Sequence, residues 1–235
     1  MTGVVDTAVE QLPSGEEKAR VVEEMFDRIA PRYDLLNRML TFRMDVGWRR
    51  TAVAALGLRP GASVVDLACG TGDLCRTLQD AGHQPIGVDF SAGMLRSART
   101  GAPLVRADAT RLPFADGSID GVTCGFALRN FVDLATVFAE CARVVRPQGR
   151  IALLDVGEPT SAPARAVHRI WFRRVVPFVG GLLSDRRAYS YLPASTAYLP
   201  SQLELLALVG RAGFDNLEHR ALGAGAAQLI TGARA

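Results

Sequence analysis

Between Ser63 and Asp155 short apolar runs alternate with stretches of helical period. The runs, Ser63–Leu67, Pro85–Asp89, Leu104–Arg106, Gly121–Gly125 and Gly149–Asp155, are mostly continuous rather than polar on every second residue, which is how strands buried on both faces read. Amphipathic stretches at about 73–81, 92–100 and 134–145 separate them. Strand and helix alternating in this way fold as a parallel sheet with helices on both faces, so the expected class is α/β, a doubly wound Rossmann-like sheet. A helix over 201–212 and two apolar runs, 214–220 and 226–233, joined through Gly223 and Gly225, predict an antiparallel hairpin strand at one sheet end.

Two regions stand outside this pattern. Residues 1–15 read as a flexible tail, and 16–60 as N-terminal helices. The first has Ala19, Val22, Phe26 and Ile29 on one face and ends at Pro31; the second runs to Leu40 and the third from Trp48 to Leu58. Residues 159–200 fit neither period and read as an inserted helical cap. The expectation is therefore one domain over 16–235, with a cofactor-binding core at 61–158 and a C-terminal helix and hairpin at 201–235. Apolar content of 49% and charged content of 22% exclude a disordered or fibrous chain. The longest apolar run, Val175–Leu183, is interrupted by Pro177, Gly180 and Gly181 and is too short to cross a bilayer. No basic start followed by an apolar stretch marks a secretory signal, so the expected location is cytoplasmic. A net charge of +3 gives no reason to expect nucleic acid, and the four cysteines lack zinc-ligand spacing, so no metal is expected.

The chemistry concentrates where the first strand ends, in Asp66-Leu67-Ala68-Cys69-Gly70-Thr71-Gly72-Asp73. Glycines at a strand-to-helix turn let backbone approach a ligand, and Asp89, closing the next strand, is placed to accept hydrogen bonds from a ribose diol. A dinucleotide fingerprint requires a small residue where Cys75 stands. Asp66 and Asp73 flank the glycines, and carboxylates there repel a pyrophosphate and favour a cationic ligand. S-adenosylmethionine combines a ribose, an adenine and a positive centre. The alternative is that both carboxylates only cap neighbouring amides.

The turn resembles the class I methyltransferase signature. That resemblance implies Gly70 and Gly72 beside the methionine moiety, Asp89 on the ribose hydroxyls, and Asp108 and Ala109 at the adenine edge, with Asp66, Thr71, Phe90 and Gly125 also in the cofactor site. Phe26-Asp27-Arg28-Ile29-Ala30-Pro31-Arg32-Tyr33-Asp34, Gly125-Phe126-Ala127-Leu128-Arg129-Asn130, Arg143–Arg150 and Tyr189-Ser190-Tyr191-Leu192 together resemble the ubiquinone/menaquinone biosynthesis C-methyltransferases. The family implies methyl transfer to a ring carbon of a prenylated quinol such as demethylmenaquinol. It also implies Arg129, Asn130 and Tyr33 at the acceptor; Asp155 is the first candidate for a base, ahead of His168 and His219. An arginine-rich apolar segment, 165–187, suits the surface of an anionic membrane or a cap over the site, and a homodimer is compatible with this reading. Against the family pattern, Arg43 and Gln148 stand where glycine is usual, Gly125 replaces serine, Ala127 replaces glycine, Asp155 replaces glutamate and Ile230 replaces histidine. These departures keep open another phenolic, quinol or polyketide-like acceptor.

Overall fold

A computed structural model of the chain describes residues 14–159, 161–170 and 195–235. Its strands are β1 (Ser63–Leu67), β2 (Gln84–Asp89), β3 (Leu104–Arg106), β4 (Ile119–Gly125), β5 (Val145–Val156), β6 (Phe214–Leu222) and β7 (Ala227–Arg234). They form one sheet in the order β3-β2-β1-β4-β5-β7-β6. Strands β1 to β5 pair in parallel, whereas β7 runs antiparallel to both β5 and β6. The doubly wound sheet and its antiparallel C-terminal hairpin are as the apolar pattern predicts.

The continuous apolar runs supply both faces of the sheet. Val65 and Leu67 of β1, with Ile151 and Leu153 of β5, pack on one side with Phe138. Their neighbours Val64, Ala152 and Leu154 pack on the other side with Leu74 and Leu78. Alternate side chains of a strand point to opposite faces, so a sheet covered by helices on both sides needs apolar residues at every position.

The helices are α1 (Gly15–Ile29), α2 (Tyr33–Leu40), α3 (Met44–Ala55), α4 (Asp73–Asp80), α5 (Ala92–Ser97), α6 (Leu134–Val144), α7 (Ala162–Ile170) and α8 (Gln202–Arg211). Side chains start three of them. Asp133 accepts from the amides of Ala135 and Thr136 at α6, Ser91 from Met94 at α5, and Ser201 with Glu204 forms a capping box at α8.

Three of the boundaries that differ from the sequence expectation have a visible cause. Helix α3 begins at Met44, not Trp48, because Arg43 occupies the N-cap in a left-handed conformation (φ 62°) and Asp45 carries the first turn through Thr41 and Arg49. Strand β5 begins at Val145, four residues before Gly149, through an irregularity in its pairing with β4 where Gln148 has φ 65°. Helix α5 stops at Ser97, short of Thr100, because Ala98 is extended. Two of the three positions where glycine is usual, 43 and 148, are thus left-handed, a conformation that glycine adopts without strain, whereas the third, Ala127, has φ −123°.

Residues 1–13 of the expected 1–15 tail and most of the 159–200 cap, including 171–187 of the arginine-rich segment, lie outside the described residues, while Gly15 already opens α1. Of that cap, α7 and a short 3-10 turn at Thr196–Tyr198 are described. No helix among the described residues is long and apolar enough to cross a membrane. Strand order reverses between β1 and β4, and in such sheets the crevice at the carboxyl ends of those two strands is where ligands bind.

Candidate active site

From Leu67 the chain turns through Ala68 (φ 51°), Gly70 (φ 55°) and Gly72 (φ 82°) into α4. Close approach adds to the need for glycine at 72, where a Cβ would lie 2.7 Å from Thr100 Cγ2. At Gly70 a Cβ would have Met94 Sδ as its nearest atom, at 4.0 Å, so conformation and not space selects glycine there. The Gly70 amide donates to Asp89 Oδ2 and the Ser91 amide to Asp89 Oδ1, each at 2.8 Å. A carboxylate accepts about four hydrogen bonds, so Asp89 retains capacity for a diol. Burial pushes the Asp89 carboxyl up, and the amides of Ser91 and Gly70 oppose that.

Asp89 forms part of the wall of a cavity at the reversal point, with an empty volume, mouth included, of about 1040 Å³. Gly70, Phe90, Asp108, Ala109 and Gly125 share this wall, so six of the nine expected cofactor residues come together. Phe90 is exposed, and Arg106 lies over its ring, 5.9 Å from the centroid. A Cβ on Gly125 would lie 2.6 Å from Leu74 Cδ1, so the leucine occupies the space that a side chain at 125 would need.

Asp66, Thr71 and Gly72 are not in the wall. Asp66 is buried beneath it, accepting from Thr123 Oγ1 at 3.0 Å and Cys75 Sγ at 3.4 Å, and burial pushes its carboxyl up to about 7. The Thr71 hydroxyl donates to Asp34 of α2 instead. Asp73 is engaged by Arg38, Arg49 and Arg76.

The same wall includes Tyr33, Phe126, Asn130, Phe131 and Val132. Arg129 and Asp155 are behind it. Arg129 is buried, with Nη1 donating to Asp155 Oδ1 at 2.6 Å and to the Phe126 carbonyl at 2.8 Å, and Nε donating to Ser195 Oγ at 3.2 Å. Asp155 is fully buried and also accepts from the amides of Leu128 and Val156. A fully buried carboxylate held by a guanidinium and two amides does not face a ligand in the cavity. Asp155 is the counter-charge of Arg129, which corrects its assignment as base. His219 is hydrogen-bonded to Gln228 on the β6–β7 hairpin, 3.1 Å away, and the side chain of His168 lies outside the described residues.

The N-terminal helix contributes more than sequence reasoning assigned to it. Ala19, Val22, Glu23 and Phe26 of α1 line the cavity, and Phe26 meets Tyr33 edge-on with ring centroids 5.8 Å apart. Met25 and Ile29 instead enter a small core with Leu36 and Met94. Two apolar stripes, at 19, 22 and 26 and at 25 and 29, were the available signal. Polar links fasten α1: Asp27 accepts from the Ser91 hydroxyl and, at 2.8 Å, from the Gly93 amide, Glu23 pairs with Arg106 at 2.9 Å, and Lys18 donates to the Phe131 carbonyl at 2.7 Å. Among the described residues lining the cavity, the charged side chains are Glu23, Asp89 and Asp108, all acidic. Such a wall suits a cationic ligand bearing hydroxyl and amine donors and repels a phosphate. The residues present therefore fit S-adenosylmethionine better than a dinucleotide.

Residues 13–234 match the ubiE/COQ5 methyltransferase family over nearly the full chain. The chain belongs to the ubiE/COQ5 methyltransferase family. It is 41% identical to the demethylmenaquinone methyltransferase of Thermus thermophilus, over 89% of this chain and 100% of that one. It is 39% identical to the ubiquinone/menaquinone biosynthesis C-methyltransferase of Geotalea uraniireducens, over 92% of this chain and 97% of the relative. Among solved structures, a possible histamine N-methyltransferase of Thermotoga maritima superimposes with a TM-score of 0.66 at 20% identity, covering 91% of this chain and 99% of that one. The partner of the Trm112 activator from Haloferax volcanii gives 0.65 at 20% identity, over 88% and 96% of the two chains. These two share the fold. Membership makes the chain an S-adenosylmethionine-dependent C-methyltransferase.

Proposed function

We propose that this methyltransferase uses S-adenosylmethionine to methylate a ring carbon of a prenylated hydroquinone, demethylmenaquinol being the natural acceptor in view of the names its relatives carry. The observation that carries the reading is one cavity whose wall joins acidic side chains, with Asp89 at the glycine turn, to the apolar side chains of Phe126, Phe131 and Val132. When bound, the cofactor supplies an electrophilic methyl group. Asp89 would hold the ribose, Asp108 and Ala109 the adenine, and Gly70 the methionine moiety.

Ring methylation needs negative charge on the oxygen next to the accepting carbon. A phenol with a pKa near ~10 gives it up reluctantly at neutral pH. Tyr33 and Asn130, both in the wall, orient that oxygen. The arginine behind Asn130 favours charge developing there, at a strength tempered by Asp155. Helix α1 closes the cavity and excludes water. Of the family departures, Arg43 and Gln148 are explained by backbone geometry and Ile230 is a core residue of β7, which supports the quinol reading. Gly125 and Ala127 do line the cavity and keep another phenol as the second reading. Contact of 165–187 with a membrane is part of the proposal and rests on composition.

The test is incubation with S-adenosylmethionine and reduced demethylmenaquinone in detergent, read by mass spectrometry for a quinone one methyl heavier. Arg129→Ala should lower turnover by more than tenfold while cofactor affinity holds. A product formed equally from the oxidised quinone would overturn the phenolate mechanism, and collapse of cofactor binding in the variant would make Arg129 structural.

A further inference from the structure

Helix α2 is apolar on two sides. Its inner side carries Leu36, fully buried, and Tyr33 and Leu40, packed in the small core under α1. Its outer side carries Leu35 and Met39, four residues apart on one face, and the turn that follows brings Phe42 beside them, all three lining one groove. These are 61%, 47% and 68% exposed, and Met44 beside them is 44% exposed. Half of the eight large exposed hydrophobic residues among those described thus fall within residues 35–44. Single exposed apolar side chains are ordinary, whereas a cluster marks a contact surface.

The charge around this face is one-sided. An open groove between α2 and α5 is lined by Leu35, Met39 and Phe42 together with Arg38, Arg43, Arg96 and Arg99. The acid among its described lining residues, Asp34, already accepts from Thr71. Arg76 is held below its ordinary value, by burial first and then by the crowding of Arg38, Arg49 and Arg99, with Asp34 opposing.

We infer that the outer face of α2, with the arginines of the α2–α5 groove, docks the enzyme on an anionic phospholipid surface. Apolar side chains that project from a ring of arginines match a bilayer interface, where acyl chains accept the former and headgroup phosphates the latter. A second copy of this chain fits less well, because a two-fold contact on this face sets arginines against arginines. Free phosphate would leave the apolar residues in water. Geometry relates the face to the cavity: Tyr33, at the start of the same helix, lines it, so docking on α2 brings the cavity beside the membrane. Binding is independent of the acceptor proposed above, although its purpose rests on that acceptor having a lipid tail.

The experiment is co-sedimentation of the full chain with extruded vesicles, without quinol or cofactor. Equimolar phosphatidylglycerol and phosphatidylcholine should pull the protein down at low salt and release it at high salt, whereas phosphatidylcholine alone should not bind it. Inorganic phosphate at equal ionic strength should release no more protein than chloride does. The Leu35→Ser/Met39→Ser and Arg96→Glu/Arg99→Glu variants should each lose at least tenfold in partitioning while binding S-adenosylhomocysteine as tightly as the parent, which shows that they fold. The proposal is overturned if anionic vesicles do not bind the parent, or if both variants bind as it does, which would move the contact elsewhere. Dissociation of a parental dimer by Leu35→Ser/Met39→Ser would overturn it too, making the face a subunit interface. Methyl transfer to quinol in detergent should be unchanged in both variants; its absence in the parent would sink the acceptor and leave the vesicle result standing.

Discussion

Asp89 ends β2 and Asp66 lies one residue before the end of the adjacent parallel strand β1, and their surroundings give them different work. Asp89 accepts two backbone amides and faces the cavity. Replacing it with alanine removes charge-assisted bonds to the ribose and should weaken S-adenosylhomocysteine binding by roughly 1.5–3 kcal/mol, measured calorimetrically. Unchanged affinity would remove Asp89 from the site. Asp66 has only a hydroxyl and a thiol as donors, and burial, reinforced by the nearby Asp89, pushes it up to about 7 from the ordinary 3.8. Between those values the folded chain holds a proton that the unfolded chain has lost, so this residue makes stability fall as pH rises from about 4 to 7, with no further change above. Asp66→Asn abolishes that slope. The variant should therefore gain roughly 1–4 kcal/mol relative to the parent between pH 4 and pH 8, read as diverging thermal unfolding midpoints. Parallel pH curves for the two proteins would show that Asp66 is ionised throughout.

At the scale of elements, the turn joining α2 to α3 places Phe42 (φ 51°) and Arg43 (φ 62°) in succession in the left-handed region. Each costs a side chain about 1 kcal/mol that glycine avoids. Arg43→Gly should raise the unfolding midpoint by a few degrees, and a lower midpoint would mean that contacts of the arginine outweigh its backbone strain. The same turn explains what could and could not be read from the chain. The observed bounds of β1 and β3 equal those inferred from their apolar runs, because a strand buried on both faces writes its limits into consecutive residues. The start of α3 was not legible, since a left-handed arginine carries none of the serine, threonine, aspartate or glycine signals of a helix beginning. In the site, Gly70 and Asp89 were legible through the order of strand, turn and strand, and Asp108 through the resemblance to the methyltransferase signature. Glu23 and Phe26 were not, because a lining residue of α1 is defined by where that helix docks. Asp155 was misread for a related reason: its position at a strand end was visible, but the guanidinium that neutralises it comes from another loop.

At the scale of the whole molecule, a sheet packed on both faces supports a thin N-terminal cover. The sheet places Asp89 and Gly70 through strand pairing, while α1 closes the cavity from the far end of the chain through a few polar links and a small apolar core. Elements joined by few buried contacts open at lower free energy than a central sheet. A ligand enclosed between cover and sheet binds only the closed arrangement and shifts the population toward it. Saturating S-adenosylhomocysteine should therefore slow amide hydrogen exchange across 16–40 by at least tenfold, while β4 and β5, buried in the middle of the sheet, should change little. Asp27→Ala removes the bonds from Ser91 and Gly93 and should restore fast exchange in α1, at a cost of several-fold in ligand affinity. Protection confined to the 66–110 segment, with α1 exchanging as fast as before, would show that the N-terminal helix borders the cavity without closing over its ligand.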